Sequence, residues 1–183
     1  MALTQGKIRI IGGQWRRRII TFPYHTDLRT TPDRIRETVF NWLGQDLTGL
    51  SCLDLFAGSG VLGFEAASRG AEHVVMIESD TKTVKTLREN KEKLNATQVE
   101  LVRMDALAFV ASDPGHFDII FLDPPYRLEL LPELLQALPP CLNHNGRVYI
   151  ETGEAYTPNQ QWHVKRCGKA GKVYYQLLEL ENG

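Results

Sequence analysis

Cysteine is scarce in these 183 residues and never paired: Cys52, Cys141 and Cys167 stand far apart, with no C-x-x-C spacing. The five histidines form no H-x-x-x-H pair. Neither a disulfide scaffold nor a metal site is expected, and the cysteines read as reduced thiols of a cytoplasmic protein. Long apolar runs are missing too. Asp54 and nearby glycines interrupt the most hydrophobic stretch, and Met1 to Gly13 lack the apolar core of a signal peptide. A membrane span or a secreted chain is therefore not expected. Internal repeats and low-complexity tracts are absent. What remains, 43% apolar and 23% charged residues, suits one sizeable core with a small appendage.

Net charge is only -1, yet it is unevenly spread. Residues 1–36 hold Lys7, Arg9, Arg16, Arg17, Arg18, Arg29, Arg34 and Arg36 against Asp27 and Asp33, a net of +6. The rest carries 13 basic and 20 acidic residues, a net of -7. An acidic body with a basic N-terminal cap suggests a polyanion held at one end, with Arg16, Arg17, Arg18, Arg29, Arg34 and Arg36 as the phosphate contacts. A solvated, arginine-rich surface is the plainer alternative.

Lys7 to Ile11 and Trp15 to Phe22 are β-type runs around Gly12-Gly13, which predicts a hairpin with Arg16 and Arg18 on one face and Arg17 on the other. Thr31-Pro32 then places a capping hydroxyl before a helix whose stripe is Ile35, Val39, Trp42 and Leu43, with Arg34 and Glu37 outward and Gly44 as the stop. From Leu50 short apolar strands alternate with amphipathic segments. Strands are predicted near Cys52 to Phe56, His73 to Ile77, Val99 to Val102, Phe117 to Leu122 and Arg147 to Glu151. Helices are predicted near Gly60 to Arg69, Thr81 to Asn95, Ala106 to Ser112 and Leu130 to Leu138. That alternation means a parallel α/β sheet covered on both faces. Trp162 to Arg166 and Lys172 to Leu180 close it as an antiparallel hairpin. Residues 1–44 thus read as a basic N-terminal hairpin and helix and 45–183 as the α/β domain.

Asp54-Leu-Phe56-Ala-Gly58-Ser-Gly60-Val-Leu-Gly63 contains G-x-G-x-x-G between a strand and a helix, and Glu78 stands 20 residues after Gly58, at the end of the next strand. A carboxylate there can accept from both hydroxyls of a ribose, so the pair indicates a nucleoside-bearing cofactor. The glycines alone would also fit a tight turn with close helix packing. Asp54 separates the candidates, since a carboxylate beside the loop opposes a pyrophosphate but favours the sulfonium and ammonium of S-adenosylmethionine. Asp105-Ala106 follows the third of these strands, where a carboxylate could accept from an adenine amine or simply cap a helix.

Asp123-Pro124-Pro125-Tyr126 directly follows the apolar strand Phe117 to Leu122. Consecutive prolines fix the backbone and donate no hydrogen bonds, so the loop presents rigid carbonyl and carboxylate acceptors, suited to an exocyclic amine. Tyr126 offers a face for stacking a base. A rigid turn with a buried tyrosine is the structural alternative. Lys165, Arg166, Lys169 and Lys172 form either a second phosphate-facing patch or a soluble hairpin. Pro140-Cys141 stands too far from the acceptor loop for the proline-cysteine pair of a cytosine-C5 methyltransferase.

These motifs resemble those of class I S-adenosylmethionine-dependent amino-methyltransferases. More narrowly, Arg29-Thr-Thr31-Pro-Asp-Arg34-Ile-Arg36-Glu-Thr-Val-Phe-Asn-Trp-Leu43, with Asp54 to Gly60 and Ser68-Arg-Gly-Ala71, resembles the bacterial small-subunit rRNA (guanine-N2)-methyltransferase D family. The resemblance runs from about Ile8 to Leu180; Thr30 stands where the family pattern has proline. It implies a Rossmann-like seven-stranded sheet behind an N-terminal hairpin and helix, S-adenosylmethionine as cofactor, and methyl transfer to a guanine N2 of ribosomal RNA, within a small-subunit particle, by a cytoplasmic monomer. Asp54, Phe56, Gly58, Gly60, Glu78, Asp105 and Ala106 would surround the cofactor with Thr31 closing over it. Asp123, Pro124 and Tyr126 would hold the target amine. An N6-adenine DNA or RNA methyltransferase shares the acceptor loop, a protein-glutamine methyltransferase poses the same geometry, and a catalytically idle RNA-binding assembly factor could keep the fold.

Overall fold

The computed structural model of the chain describes residues 5–24, 30–125 and 129–181. Among them, seven strands form one sheet: β3 (Ser51–Asp54), β4 (His73–Glu78), β5 (Val99–Arg103), β6 (Phe117–Leu122), β7 (Leu142–Thr152), β8 (Trp162–Ala170) and β9 (Val173–Leu180). Their order is β5-β4-β3-β6-β7-β9-β8, with the first five parallel and the last two antiparallel. The chain steps outward from β3 to β5 and then returns to β6 on the other side of β3. The crevice at that reversal, beyond the carboxyl ends of the strands, is where open α/β sheets receive ligands.

Alternation along the strands builds two cores. Cys52, Met76, Ile119, Phe121 and Tyr149 face α1 (Asp33–Leu43), α2 (Val61–Ser68) and α3 (Thr81–Leu94). Leu53, Val75, Ile77, Ile120, Leu122 and Ile150 face α4 (Ala106–Ala111) and α5 (Leu131–Ala137). Parallel strands covered on both sides are apolar throughout, which is why these segments read as continuous hydrophobic runs. No helix among the described residues is long and apolar enough to cross a membrane.

The N-terminal segment lies against the first of these faces. β1 (Gln5–Arg9) pairs antiparallel with β2 (Ile19–Pro23), and Ile10, Trp15 and Ile20 join the core that holds α1 and α2. Trp15 to Arg18, predicted as strand, is instead a turn that includes Arg17 at φ 70. Its backbone finds partners outside the hairpin: Gln14 N–H donates to the Ser68 carbonyl at 2.8 Å and Trp15 N–H to Ser68 Oγ at 2.9 Å. The expected alternation of Arg16, Arg17 and Arg18 across a strand is therefore not found, although all three are exposed. Asn90 on α3 grips β2 like an added strand, accepting from Thr21 N–H at 3.1 Å and donating to its carbonyl at 2.6 Å.

Two further expectations are corrected here. Thr31 does not cap α1; the helix starts from Pro32 with no side-chain cap, because the Thr31 hydroxyl turns into the protein and is bonded elsewhere. Arg36, expected to meet RNA, is fully buried. Its guanidinium donates to Glu65 at 3.1 Å, to the carbonyls of Thr31 and Arg9, and to Asp33. Helical spacing puts Arg36 one residue from the Ile35 stripe, and the acceptors that receive it inside, buried Glu65 on α2 among them, come from elsewhere in the fold. Glu65 also accepts from Ile11 N–H, Gly12 N–H and Arg69, so one fully buried carboxylate takes four different donor residues. Such a site is tolerated because every lone pair is engaged.

Candidate active site

Two glycines shape the turn after β3 and the start of α2. Gly60 adopts φ 79, a left-handed conformation that a side chain resists, and a Cβ there would stand 2.5 Å from Leu87 Cδ2. At Gly63 a Cβ would come within 2.3 Å of Met76 Cε, so a larger residue there would have to push the Met76 side chain on β4 aside. Beneath the turn Asp54 is buried, accepting from Gly63 N–H at 3.2 Å and from Phe56 N–H. Desolvation pushes its carboxyl up to about 7, against the pull of those two backbone bonds.

Glu78 at the end of β4 accepts from Gly58 N–H at 3.0 Å through Oε2 and from Asp80 N–H at 2.9 Å through Oε1. It is only half-buried. A carboxylate oxygen has two lone pairs, so one on each oxygen remains for hydroxyl donors. Asp105 caps α4, its Oδ2 accepting from Ala108 N–H at 3.0 Å, and stands exposed with Ala106 buried behind it. The capping reading of Asp105 is correct, and an adenine contact would use its other oxygen. Phe56 is half-buried against the core on the α4 side.

Across the reversal point, Asp123 is half-buried and Pro124 buried at the end of β6. Tyr126 lies outside the described residues, as does Arg29. Beside this loop the structure adds a residue that the sequence pattern alone did not single out. Leu122 pairs with Ile150 in register, so Glu151 is the β7 neighbour of position 123. Glu151 is buried, and its Oε2 accepts from Thr31 Oγ1 at 3.2 Å and from Tyr149 Oη at 3.0 Å. Thr31, expected over the cofactor, thus has its hydroxyl bonded at the end of β7, next to the Asp123-Pro124 loop. The signal for Glu151 was present: His73–Glu78 and Arg147 to Glu151 are both apolar strands ending in glutamate.

Period-two alternation carries the pattern further. Positions 78, 54 and 151 lie two residues beyond or beside Met76, Cys52 and Tyr149 on the same face, and position 123 continues from Phe121. Four carboxylates therefore stand at the carboxyl ends of four adjacent strands, in the order β4, β3, β6, β7. The part of that row on β4 and β3 fits a cofactor with cationic groups and repels a pyrophosphate. Among the described residues no three His, Cys, Asp or Glu side chains are placed to hold a metal.

The basic turn lies elsewhere. Arg18 Nη2 donates to the Lys93 carbonyl at 3.1 Å and Lys93 Nζ to the Ile19 carbonyl at 2.9 Å, near the last turn of α3. That point is about 18 Å along the helix from Thr81, which begins α3 beside Glu78. The Arg16 to Arg18 turn is thus at the amino edge of the sheet, not beside the mouth, because β2 climbs α3 toward the carboxyl ends only after it. An open groove of about 730 Å³ lined by His73, Arg88, Lys91 and Glu100 is at this far edge too. The β8-β9 turn, by contrast, is at the carboxyl end of β7: Tyr174 pairs with Thr152 and Lys169 with Tyr174, with Lys169 Nζ 4.9 Å from the Tyr174 ring centre. Arg34 is exposed in the first turn of α1.

Comparison with known proteins agrees with this geometry. The family model "Conserved hypothetical protein 95" matches residues 8–179. Ribosomal RNA small subunit methyltransferase D of Escherichia coli K12 is 40% identical over 181 residues, covering 96% of this chain and 91% of that one. The solved yhhF structure from Escherichia coli superposes with a TM-score of 0.86 at 39% identity, over 97% of this chain and 100% of that chain. An RNA methyltransferase from Salinibacter ruber, in complex with S-adenosyl-L-homocysteine, shares the fold at 19% identity, with a TM-score of 0.66 over 81% of this chain and 92% of that one. The fold is that of the class I methyltransferases, and the chain belongs to the ribosomal RNA small subunit methyltransferase D family.

Proposed function

We propose that this protein transfers a methyl group from S-adenosylmethionine to the exocyclic N2 amine of a guanine in small-subunit ribosomal RNA. The observation that carries the reading is the row of carboxylates at the carboxyl ends of β4, β3, β6 and β7, with the rigid Asp123-Pro124-Pro125 turn at its acceptor end. Glu78 holds the ribose hydroxyls, Asp54 and the Gly58 to Gly60 turn face the cationic methionine part, and Asp105 with Ala106 and Phe56 flanks the base. When bound, the cofactor supplies a methyl on a sulfonium, which is already a good leaving group.

The remaining difficulty is the acceptor, because the N2 lone pair is delocalised into the guanine ring. Asp123 and the Pro124 carbonyl accept the two N–H bonds and turn the lone pair toward the methyl, while Tyr126 stacks on the base. Positioning of this kind supplies on the order of 7–11 kcal/mol in favourable intramolecular cases. The acceptors also stabilise the positive charge that develops on nitrogen. Asp123 need not remove a proton in the transition state.

Residues 1–44 serve as the RNA-binding extension of the 45–183 transfer domain, although the two share one core. Arg34 and the Lys169 and Lys172 turn are the phosphate contacts nearest the flipped base; Lys169 is about 14 Å from β6 at three strand spacings. Arg16, Arg17 and Arg18 contact RNA farther along. The test is methylation of small-subunit particles lacking the modification, followed by mass spectrometry of the nucleosides. N2-methylguanosine at one position is the expected product, and N6-methyladenosine or no methylation overturns the reading.

A further inference from the structure

The acceptor side of the site is held together by a contact between residues 120 positions apart. Thr31, just before α1, donates its hydroxyl to Glu151 Oε2, and Tyr149, two residues earlier on β7, donates to the same oxygen. All three residues are buried. A charged side chain is rarely buried unless hydrogen bonds hold it, and holding it fixes whatever donates those bonds. Here that is the Thr31-Pro32 entry to α1 on one side and the end of β7, beside Asp123-Pro124, on the other.

From this placement we infer that Glu151 is a positioning residue for methyl transfer: by accepting from Thr31 and Tyr149 it locks residues 30–32 to the end of β7, beside the acceptor loop, and so sets the wall that orients the target amine. The inference rests on the function proposed above. Glu151 acts through Thr31 and the loop, not by touching the cofactor, whose side of the site is built on β3 and β4. The Thr31 carbonyl also accepts from buried Arg36 at 3.0 Å, so its hydroxyl and its carbonyl are each tied to a charged side chain. A misplacement of about 1 Å at the reacting centre is enough to cost on the order of 100-fold in rate.

The inference predicts a split between the two halves of the reaction. With wild-type protein and small-subunit particles lacking the modification as the reference, Glu151→Ala lowers kcat by about 10- to 100-fold, while S-adenosylmethionine affinity by calorimetry stays within about twofold. Glu151→Gln keeps an oxygen that accepts both hydroxyls and restores kcat to within about threefold of wild type. Thr31→Val, which removes one bond and is mild enough to fold, lowers kcat by about 3- to 10-fold and has no further effect in the Glu151→Ala background. Thermal melts of each variant show which are folded. Unchanged kcat in Thr31→Val and in folded Glu151→Ala overturns the inference, as does equal loss in Glu151→Gln and Glu151→Ala, which would mean that the charge matters and not the lock. Additive losses in the double variant overturn it too. Failure of the wild-type protein to methylate the particles is a failure of the proposed function and is read separately, before any variant.

Discussion

The two halves of the site are built by different means. On the proposed cofactor half, Asp54, Gly58, Gly60 and Glu78 lie within 25 residues, and Glu78 accepts from Gly58 N–H while Asp54 accepts from Gly63 N–H, so a strand, a turn and the next strand suffice. On the proposed acceptor half, Thr31, Asp123 and Glu151 come from three distant parts of the chain and meet only because β7 lies next to β6 and the N-terminal segment folds over both. A site made from local turns tolerates damage elsewhere, whereas one made from distant segments depends on whatever docks them. Here the dock is Glu65, the buried carboxylate that takes Ile11, Gly12, Arg36 and Arg69 together.

The strongest way to break this contrast is to remove the dock. Glu65→Ala leaves the buried Arg36 and Arg69 without their shared partner and should destabilise the fold by about 3–5 kcal/mol, measured by chemical denaturation. In whatever protein remains folded, transfer should fail before cofactor binding does. Next, Asp123→Ala should lower kcat by about 10²- to 10³-fold with normal cofactor affinity, while Asp123→Asn keeps measurable activity through its carbonyl oxygen. Complete loss in both would indicate general-base chemistry instead. Tyr126→Ala should be severe and Tyr126→Phe mild, since stacking uses the ring.

On the cofactor half the effects are smaller and confined to binding. Glu78→Ala should weaken S-adenosylmethionine by about 1–3 kcal/mol, read by calorimetry. Asp54 should make that binding pH-dependent. Its carboxyl holds a proton to about 7 in the folded protein but gives it up near 3.8 when unfolded. The folded state therefore binds more protons in between, so this group's contribution to stability falls as pH rises from about 4 to about 7 and is level above. A cationic cofactor favours the ionised form, so binding below pH 7 should release a proton, and affinity should rise toward pH 7. Calorimetry at pH 6 in two buffers of different ionisation enthalpy measures the proton, and Asp54→Asn should abolish it.

The smallest effects should come from the basic residues, and they sharpen the contrast by distance. Removing one cation that neutralises a phosphate should flatten the log-log salt dependence of RNA binding by about 0.7 to 0.9. Lys169→Ala with Lys172→Ala, at the acceptor end, should raise the RNA KM more than replacement of Arg16, Arg17 and Arg18 together. Cofactor affinity should stay constant in both. The reverse ranking would mean that the RNA lies along α3 toward the amino edge.

The alternation of strand and helix from Leu50 onward, the glycine turn, and the carboxylates Asp54, Glu78 and Asp123 were legible from the sequence, because each depends on spacing within one unit of strand, turn and helix. The same local logic misjudged Trp15 to Arg18 and Thr31: β-type residues and a capping hydroxyl have intrinsic preferences of a few tenths to about 1 kcal/mol, and docking against Ser68 and Glu151 outweighed them. Arg36 was mistaken for a surface cation because composition records charge and not its partner. What only the tertiary structure decided is which distant residues share a desolvated space. Burial makes an unpartnered charge intolerable, so Arg36 and Glu65 had to find each other and Glu151 had to find Thr31 and Tyr149, and that requirement acts through the folded core and leaves no spacing to read.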